Sequence, residues 1–285
     1  MYVFGAWQFK SLPLLLIAII KRHQIYYSPK GQLCEIEFTD KRCVKWLYLL
    51  LIESLVIFFA SKVILNSKIE KTKLVQPIAY LAKNKIEIVP EGLYYESYVK
   101  EIPQPTARDA HTLRLGIIAK FSARKQLDNA IKIVRELRTQ GDLTVSLEVI
   151  GEPTPAYRQQ WNSIQQTVRN DDDIHFHGAK TGEFKWNALK DVDCFLIPSV
   201  FESFGLVVLE SALLQRKMLV SKNVGALEHL DDTLYGEFPL ELTDLALKNI
   251  IGYLTSKAST PATFAVDEYN ESVRKQIIDI HKGFY

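Results

Sequence analysis

Two glutamates, Glu202 and Glu210, lie eight residues apart in a segment that leads from a predicted apolar strand into a predicted helix. Ligands of parallel α/β sheets bind at the carboxyl ends of the strands, so this segment belongs to the ligand edge. Glu210, on the helix, can accept hydrogen bonds from the two adjacent hydroxyls of a ribose. Glu202, just before the helix, can accept them from a sugar. Solvated surface carboxylates are the alternative, which the strand–loop–helix context weakens.

The start of the same helix suits an anion. Ser203 can cap the helix, and Gly205 lets a ligand come close to the backbone. The amides of Phe204, Gly205 and Leu206 would point at the ligand, with the positive end of the helix dipole behind them. Because such helix ends bind phosphate groups, the segment predicts a diphosphate site.

Three cations, Lys120, Arg124 and Lys125, follow the strand predicted from Leu113 to Ala119. Because ligands bind at the carboxyl ends of the strands, we expect their loop to face the ligand cleft. Cations at this place neutralise a diphosphate and stabilise the negative charge that develops as it leaves. Three solvated loop residues are the alternative if the loop is considered alone.

Metal and thiol chemistry have little support in the sequence. His175 and His177 alternate on a short predicted strand, but the sequence places no carboxylate near them. The aspartates at 171–173 form a run typical of a solvated turn. The three cysteines form no C-x-x-C pair, so we expect reduced thiols and no metal site.

Strands and helices alternate regularly from Thr112 onward. The predicted strands are Leu113 to Ala119, Val145 to Val149, Ile174 to Phe176, Cys194 to Ile197 and Met218 to Val220. Helical spacing of apolar residues separates them, with short links. This alternation favours a parallel sheet with helices on both faces, a doubly wound Rossmann-like domain.

The first hundred residues show the same pattern less clearly. The predicted strands are Tyr2 to Phe4, Ile25 to Tyr27, Val63 to Leu65 and Ile86 to Val89. Ser67 and Glu70 have the spacing of a capping box, so a helix should begin there. The proline-rich stretch from Ile102 to Thr106 predicts a linker between two domains.

Taken together, these motifs resemble the GT-B glycosyltransferases of family 4, the glycosyl transferases group 1, which are retaining enzymes that use sugar nucleotides. The resemblance covers most of the chain and is strongest from Leu113 to His229, with Glu202 and Glu210 as its Glu-x7-Glu motif. It implies that Glu202 contacts the donor sugar and Glu210 the ribose. It also implies that Lys120 and Lys125 contact the diphosphate.

The resemblance further implies an α/β chain of two Rossmann-like domains. The first domain, at 1–105, lies on the acceptor side and is incomplete at its start. The second, at 106–262, binds the donor. A helix at 263–285 packs back on the first domain. The implied catalytic residues are Lys120, Lys125 and Glu202. The implied donor-binding residues are Phe204, Gly205, Leu206, Glu210, Phe176 and Gly178, with Phe176 and Gly178 near the nucleobase.

Several positions depart from the family pattern. Lys120 stands where arginine is usual, which keeps the charge but loses bidentate geometry. Gln126 and Gln215 replace common glycines, and Glu91 replaces a common asparagine. Lys30 stands where some members have a histidine, so an acceptor-side histidine is not transferred to this chain.

The implied activity is transfer of a hexosyl group from a nucleotide-diphosphate sugar to a hydroxyl acceptor, with retention, in glycan, polysaccharide or lipopolysaccharide biosynthesis. No metal and no cofactor are expected, because the lysines take the place of a metal. The alternative is a non-catalytic nucleotide-sugar-binding subunit, with another chain supplying the missing N-terminal part. An epimerase on the same fold is a third hypothesis. Loop side chains decide the base, the sugar and the acceptor.

The composition gives a net charge of +2, so no global attraction to nucleic acid is expected. The apolar stretch from Leu12 to Ile20 is too short to span a bilayer. The stretch from Val44 to Leu65 is interrupted by Lys45, Glu53 and Lys62, so a buried helix is expected. Both stretches suit peripheral contact with a membrane. The resemblance implies a glycan or lipid-linked acceptor and a cytoplasmic protein at the inner face of the plasma membrane.

Overall fold

The computed structural model describes residues 1–7, 12–38, 42–93, 112–139, 143–239, 241–255 and 264–282. Contacts divide the chain into two compact units. The first comprises Met1–Gly92, Glu202–Gly205 and Tyr269–Tyr285, and the second comprises Leu93–Phe201 and Leu206–Glu268. The predicted linker, from Ile102 to Thr106, lies outside the described residues.

A parallel four-stranded sheet in chain order, β1-β2-β3-β4, forms the centre of the first unit. Its strands are β1 (Tyr2–Phe4), β2 (Tyr26–Ser28), β3 (Lys62–Leu65) and β4 (Ile86–Ile88). Each lies within about one residue of its predicted place, because short β-branched and aromatic runs bounded by polar residues have few other ways to fold.

Helices connect these strands in turn. They are α1 (Leu12–Ile20), α2 (Arg42–Tyr48), α3 (Ser54–Phe59), α4 (Lys68–Lys73) and α5 (Gln76–Ala82), and a π-helical turn, Leu49–Glu53, joins α2 to α3. Right-handed crossovers between strands in chain order place the helices on one face of the sheet. Buried side chains of α1, α3 and α5 accordingly pack in one cluster with Val63 and Leu65.

The segment from Val44 to Leu65 differs from the prediction of a buried helix. Its helical part ends at Phe59, and its last residues form β3, where a strand from Val63 to Leu65 was predicted. One side of the helix packs on the sheet through Leu49, Val56 and Ile57, whereas the other side is exposed. Among the described helices, none is long and apolar enough to cross a membrane.

The predicted capping box at the start of α4 is confirmed. The amide of Glu70 donates to Ser67 Oγ at 3.1 Å. The Glu70 carboxylate is buried and accepts from the amides of Gly31 and Asn66 at 2.5 and 2.6 Å. Burial raises the pKa of this carboxyl to about 7. Glu70 therefore anchors the loop after β2 to the loop after β3.

The second unit contains a parallel six-stranded sheet in the order β10-β9-β8-β5-β6-β7. Its strands are β5 (Thr112–Ile118), β6 (Thr144–Ile150), β7 (Ile174–Gly178), β8 (Cys194–Ile197), β9 (Lys217–Val220) and β10 (Gly236–Glu237). Five of the six were predicted, and β10 was missed because two residues show no periodicity. The predicted doubly wound α/β fold is confirmed.

Helices flank this sheet. They are α6 (Leu127–Thr139), α7 (Arg158–Thr167), α8 (Gly182–Leu189), α9 (Leu206–Leu213) and α10 (Asp244–Thr255). The last helix, α11 (Val266–Lys282), belongs mostly to the first unit. The core of the second unit is aliphatic around Leu147 and Leu196, with an aromatic cluster of Phe121, Trp161 and Phe176. These contacts fix the loops at the carboxyl ends of the strands.

Two of the departures from the family pattern occupy left-handed backbone positions. Gln126 has φ +50° and Gln215 has φ +53°. A Cβ atom in this region contacts the neighbouring carbonyl, and glycine avoids that contact. The structure thus explains why glycine is common at both positions and why glutamine there is strained.

Replacing Gln215 with glycine is expected to raise the free energy of unfolding by about 0.5–1 kcal/mol, because relief of left-handed strain outweighs the added freedom of the unfolded chain. Urea denaturation would measure the change. The matched control is Gln165→Gly in α7, where the same substitution should lower the free energy by about 1 kcal/mol. A Gln215→Gly variant less stable than the wild type would show that the left-handed backbone at residue 215 does not destabilise the protein.

Candidate active site

The candidate site lies at the point where the strand order of the second sheet reverses. β5 is followed by β6 and β7 on one side, and its other neighbour is β8, followed by β9 and β10. The loops after β5 and β8 diverge at such a point and leave a crevice at the carboxyl edge. The predicted cation loop follows β5, and the predicted anion-binding segment follows β8.

Hydrogen bonds join these loops. The amide of Val200, after β8, donates to the carbonyl of Arg124, after β5, at 2.9 Å. Asn223, after β9, donates its side-chain amide to the carbonyl of Val200 at 3.0 Å. Ser221 Oγ donates to the carbonyl of Ser199. The carboxyl ends of three neighbouring strands are therefore connected around the crevice.

The cation loop depends on a close approach at Gly151. This residue has φ +132°, and a Cβ there would lie 1.8 Å from the carbonyl oxygen of Ala119. The loop continues with Phe121, which is buried and whose amide donates to Glu152 O at 2.8 Å. Lys120 is exposed beside this anchor, and Lys125 ends a short 3₁₀ turn. The backbone that carries both cations is therefore fixed by its contacts with the loop after β6.

The start of α9 differs from the prediction by two residues. The helix begins at Leu206, so the amides of Phe204 and Gly205 precede it. Gly205 has φ +93°, a conformation that side chains disfavour, and Phe204 is buried. Glu202 is partly exposed and belongs, with 203–205, to the first unit.

Glu210 is buried on α9 and faces a cation. Its Oε1 accepts from Lys185 Nζ of α8. Its Oε2 is also buried and accepts no hydrogen bond from the residues that the structure describes. Burying a carboxylate oxygen costs free energy unless a donor hydrogen-bonds to it, and the hydroxyls of a ligand are suitable donors for this group.

Lys185 was missed by the sequence analysis. It lies 25 residues before Glu210 on another helix, and no local motif links them. The available signal was the burial of Glu210 on an apolar helix, since a buried carboxylate requires a partner. Lys185 is a cation close to the predicted ribose position.

The residues predicted near the nucleobase lie on and after β7. Phe176 packs edge-on against Trp161, with ring centroids 5.1 Å apart, so its side chain faces the core. Gly178 has φ +66° and open space where a Cβ would be. Of the two, Gly178 has the backbone that a ligand could approach.

His177 has a carboxylate partner that the sequence analysis did not find. Its Nε2 lies 2.6 Å from Glu148 Oε2, on the next strand of the sheet. Arg114 lies 3.5 Å from the other oxygen of Glu148. The histidine thus belongs to a polar cluster on the sheet. Within the described part of the chain, no group of three or more His, Cys, Asp or Glu side chains is placed to hold a metal ion.

The first unit contains a cavity of about 710 Å³ at the carboxyl ends of its strands. Lys30 lies on the polar side of the cavity, where its Nζ is 2.8 Å from Glu91 Oε1 and 3.3 Å from Asn66 Oδ1. Ser28 Oγ is buried at the cavity without a hydrogen-bond partner among the described residues. Aliphatic side chains of α11, such as Val273, form an apolar wall. Tyr269 of α11 donates to the carbonyl of Glu91 at 2.6 Å.

The family model for glycosyl transferases group 1 matches residues 99–236, which include the cation loop, Lys185 and the Glu-x7-Glu segment. The matched segment belongs to the glycosyl transferases group 1 family. No curated protein matches the sequence.

Solved glycosyltransferase structures have the same fold as this chain. HepE from Anabaena, in complex with UDP-glucose, is 16% identical with a TM-score of 0.72, over 98% of this chain and 78% of HepE. Sucrose-phosphate synthase from Thermosynechococcus elongatus is 16% identical with a TM-score of 0.71, over 99% of this chain and 72% of the synthase. WaaG, involved in lipopolysaccharide biosynthesis, is 12% identical with a TM-score of 0.58, over 92% of this chain and 75% of WaaG. The chain has the GT-B fold.

Replacing Lys185 with methionine is expected to lower the free energy of unfolding of the protein by about 1–3 kcal/mol, because Glu210 would stay buried without its cation. Urea denaturation would measure this loss. In the double variant with Glu210→Gln, part of it should be recovered, since neither charge remains.

The control for this pair is Lys180→Met, at an exposed lysine before α8, which should leave the stability within about 0.5 kcal/mol. Additive effects of Lys185→Met and Glu210→Gln would show that the two side chains do not interact.

Proposed function

We propose that this chain transfers a hexosyl group from a nucleotide-diphosphate sugar to a hydroxyl acceptor, with retention and without a metal ion. The observation that carries the proposal is the Val200–Arg124 hydrogen bond, which places a loop bearing cations beside the segment leading to α9. Both features stabilise a diphosphate, namely positively charged side chains and backbone amide donors.

Each site residue has a role in this proposal. Lys120, Lys125 and the amides of 204–206 hold the diphosphate and stabilise its charge as it leaves. Glu210 accepts from the ribose hydroxyls, for which its Oε2 has capacity. Glu202 positions the donor sugar. The backbone around Phe176 and Gly178 borders the base.

The chemistry is substitution at the anomeric carbon of the donor. The bond from this carbon to the diphosphate oxygen breaks, and a bond to the acceptor oxygen forms with the same anomeric configuration. The diphosphate leaves with the bonding electrons, and the acceptor hydroxyl gives its proton to an oxygen of the leaving diphosphate. Catalysis rests on positioning and on charge stabilisation, since an exposed lysine loop and a helix start supply the positive charge.

The cavity of the first unit is the proposed acceptor site. Its polar side, with Lys30, Asn66 and Glu91, can bind sugar hydroxyls, and its apolar wall suits a less polar portion of the acceptor. Among the similar structures, WaaG acts in lipopolysaccharide biosynthesis. We accordingly propose a role in cytoplasmic glycan or polysaccharide assembly.

The reaction can be tested with UDP-glucose, the compound bound in the HepE structure. With water as acceptor, the wild-type chain should release UDP, measured by a coupled assay. Glu202→Gln and Lys125→Met should each lower kcat by about 100-fold or more, because each removes a contact made to the transition state.

The controls are Glu136→Gln and Lys132→Met, which make the same chemical changes on α6, away from the loops of the site. Their rates should match the wild type. Calorimetric binding of UDP-glucose without UDP release would favour a non-catalytic subunit, and an unchanged rate in Glu202→Gln would contradict the role of Glu202.

Stereochemistry and metal dependence give a separate test. Proton NMR at early times should show the α anomer of glucose released from UDP-α-glucose, since the proposed reaction retains configuration. EDTA should leave the rate unchanged, because lysines and amides neutralise the diphosphate. Early β anomer would contradict retention, and a rate lost in EDTA and restored by Mg²⁺ would contradict metal independence.

A further inference from the structure

Ser67 makes two hydrogen bonds through one hydroxyl group. Its Oγ accepts from the amide of Glu70 at 3.1 Å, which caps α4, and donates to the carbonyl of Ser203 at 2.7 Å. The two serines are 136 residues apart in the sequence, and Ser67 is completely buried. A hydroxyl has a single proton to donate. The cap uses Ser67 only as an acceptor, so its proton serves the bond to Ser203.

Hydrogen bonds fix the position of Ser67. It follows Asn66, in the loop after β3, whose amide donates to Glu70 Oε2 at 2.6 Å. The other carboxylate oxygen of Glu70 accepts from the amide of Gly31, in the loop after β2, at 2.5 Å. Asn66, Ser67 and Glu70 are each at most 1% exposed. The hydroxyl of Ser67 therefore reaches Ser203 from a buried turn whose geometry is fixed.

Ser203 lies in the segment that leads to α9. Glu202–Gly205 belongs to the first unit, so the bond between the two serines lies within one unit. The residues at 203–205 lie outside the helices and strands, and Gly205 has φ +93°. Backbone outside a helix or a strand lacks the ladder of hydrogen bonds that fixes each peptide plane. The bond from Ser67 therefore constrains how the peptide between 203 and 204 is turned.

The direction of the Ser203 carbonyl also sets the direction of the next amide. In a trans peptide the C=O and N–H groups point in opposite directions, and the described residues contain no cis peptide bond. Because the carbonyl is directed at Ser67, the N–H of Phe204 is directed away from it. A hydrogen bond accepted by the carbonyl also polarises the peptide and strengthens its N–H as a donor. The amide of Phe204 is one of the donors proposed for the diphosphate.

We propose that Ser67 is a positioning residue for the diphosphate site and acts through the peptide between Ser203 and Phe204. This inference rests on the proposed function, because the diphosphate of a nucleotide sugar is the ligand that the Phe204 amide would meet. Ser67 itself touches no phosphate in the proposed binding mode. Its hydroxyl directs an amide whose hydrogen bond strengthens as the diphosphate gains charge on leaving. Ser67 therefore contributes to phosphate binding and turnover and not to the binding of the nucleoside.

A cap of α4 alone is the other role to consider for this hydroxyl. It predicts that a variant without the hydroxyl is less stable but binds ligands normally once folded. A cap requires only an acceptor, whereas Ser67 also donates, and its donated bond reaches the segment before α9. The second bond therefore favours the positioning role.

Binding of UDP and of uridine tests the proposal on the full chain. Ser67→Ala should weaken UDP binding in calorimetry by about tenfold, because an amide donor to the diphosphate is no longer held in direction. Uridine binding, followed by NMR titration, should stay within about twofold of the wild type, because uridine carries no phosphate. Ser67→Thr, which keeps the hydroxyl, should bind UDP as the wild type does. UDP release from UDP-glucose should fall about tenfold or more in Ser67→Ala.

The matched control is Thr243→Ala. Thr243 Oγ1 accepts from the amide of Ala246, in the first turn of α10, at 3.2 Å, so this variant removes the same kind of cap in the second unit. It should leave UDP binding and UDP release unchanged. Circular dichroism should show each variant to be folded.

Hydrogen exchange tests the role of Ser67 without a ligand. In mass spectrometry, peptides covering 202–206 should exchange about fivefold faster in Ser67→Ala than in the wild type and no faster in Thr243→Ala. Equal UDP affinity of Ser67→Ala and the wild type, or an equal loss of affinity for UDP and uridine, would overturn the inference. A wild type that binds UDP but releases none from UDP-glucose would contradict the sugar transfer alone, and the two affinities would still decide the role of Ser67.

Discussion

The second unit depends on how two loops meet at the reversal of strand order. The amide of Val200 and the carbonyl of Arg124 join them, and the side chain of Asn223 adds the next loop. Beneath this junction, Gly151 allows β6 to pass so close to Ala119 that a methyl group would not fit. The exposed cation Lys120 is thus carried by backbone whose position the sheet determines. A short, rigid junction suits a ligand whose charge is confined to two phosphates.

The sequence predicted the elements better than the contacts between them. Strands with a run of apolar residues, such as Cys194–Ile197, were placed to the residue because burial on both faces requires uninterrupted apolar side chains. The cap of α4 was predicted because Ser67 and Glu70 interact within one turn. Local patterns determine such features.

Features that depend on tertiary contacts were not predictable in the same way. Lys185 reaches Glu210 from another helix, and Glu148 reaches His177 from another strand. The segment that contains α2–α3 was predicted to be a buried helix suited to peripheral membrane contact because its composition is apolar, and which side would be exposed was not predicted. An apolar composition predicts that a helix is buried, whereas only the packed structure shows which side contacts the rest of the protein.

The pairing of Lys185 with Glu210 affects how a bound nucleotide would respond to ionic strength. Glu210 is buried beneath α8, where dissolved ions screen poorly, whereas Lys120 is exposed. In the proposed binding mode, added salt would therefore weaken the binding of the phosphates and leave the binding of the ribose largely unchanged. A nucleoside and its diphosphate would then come to bind with more similar strength as the salt concentration rises.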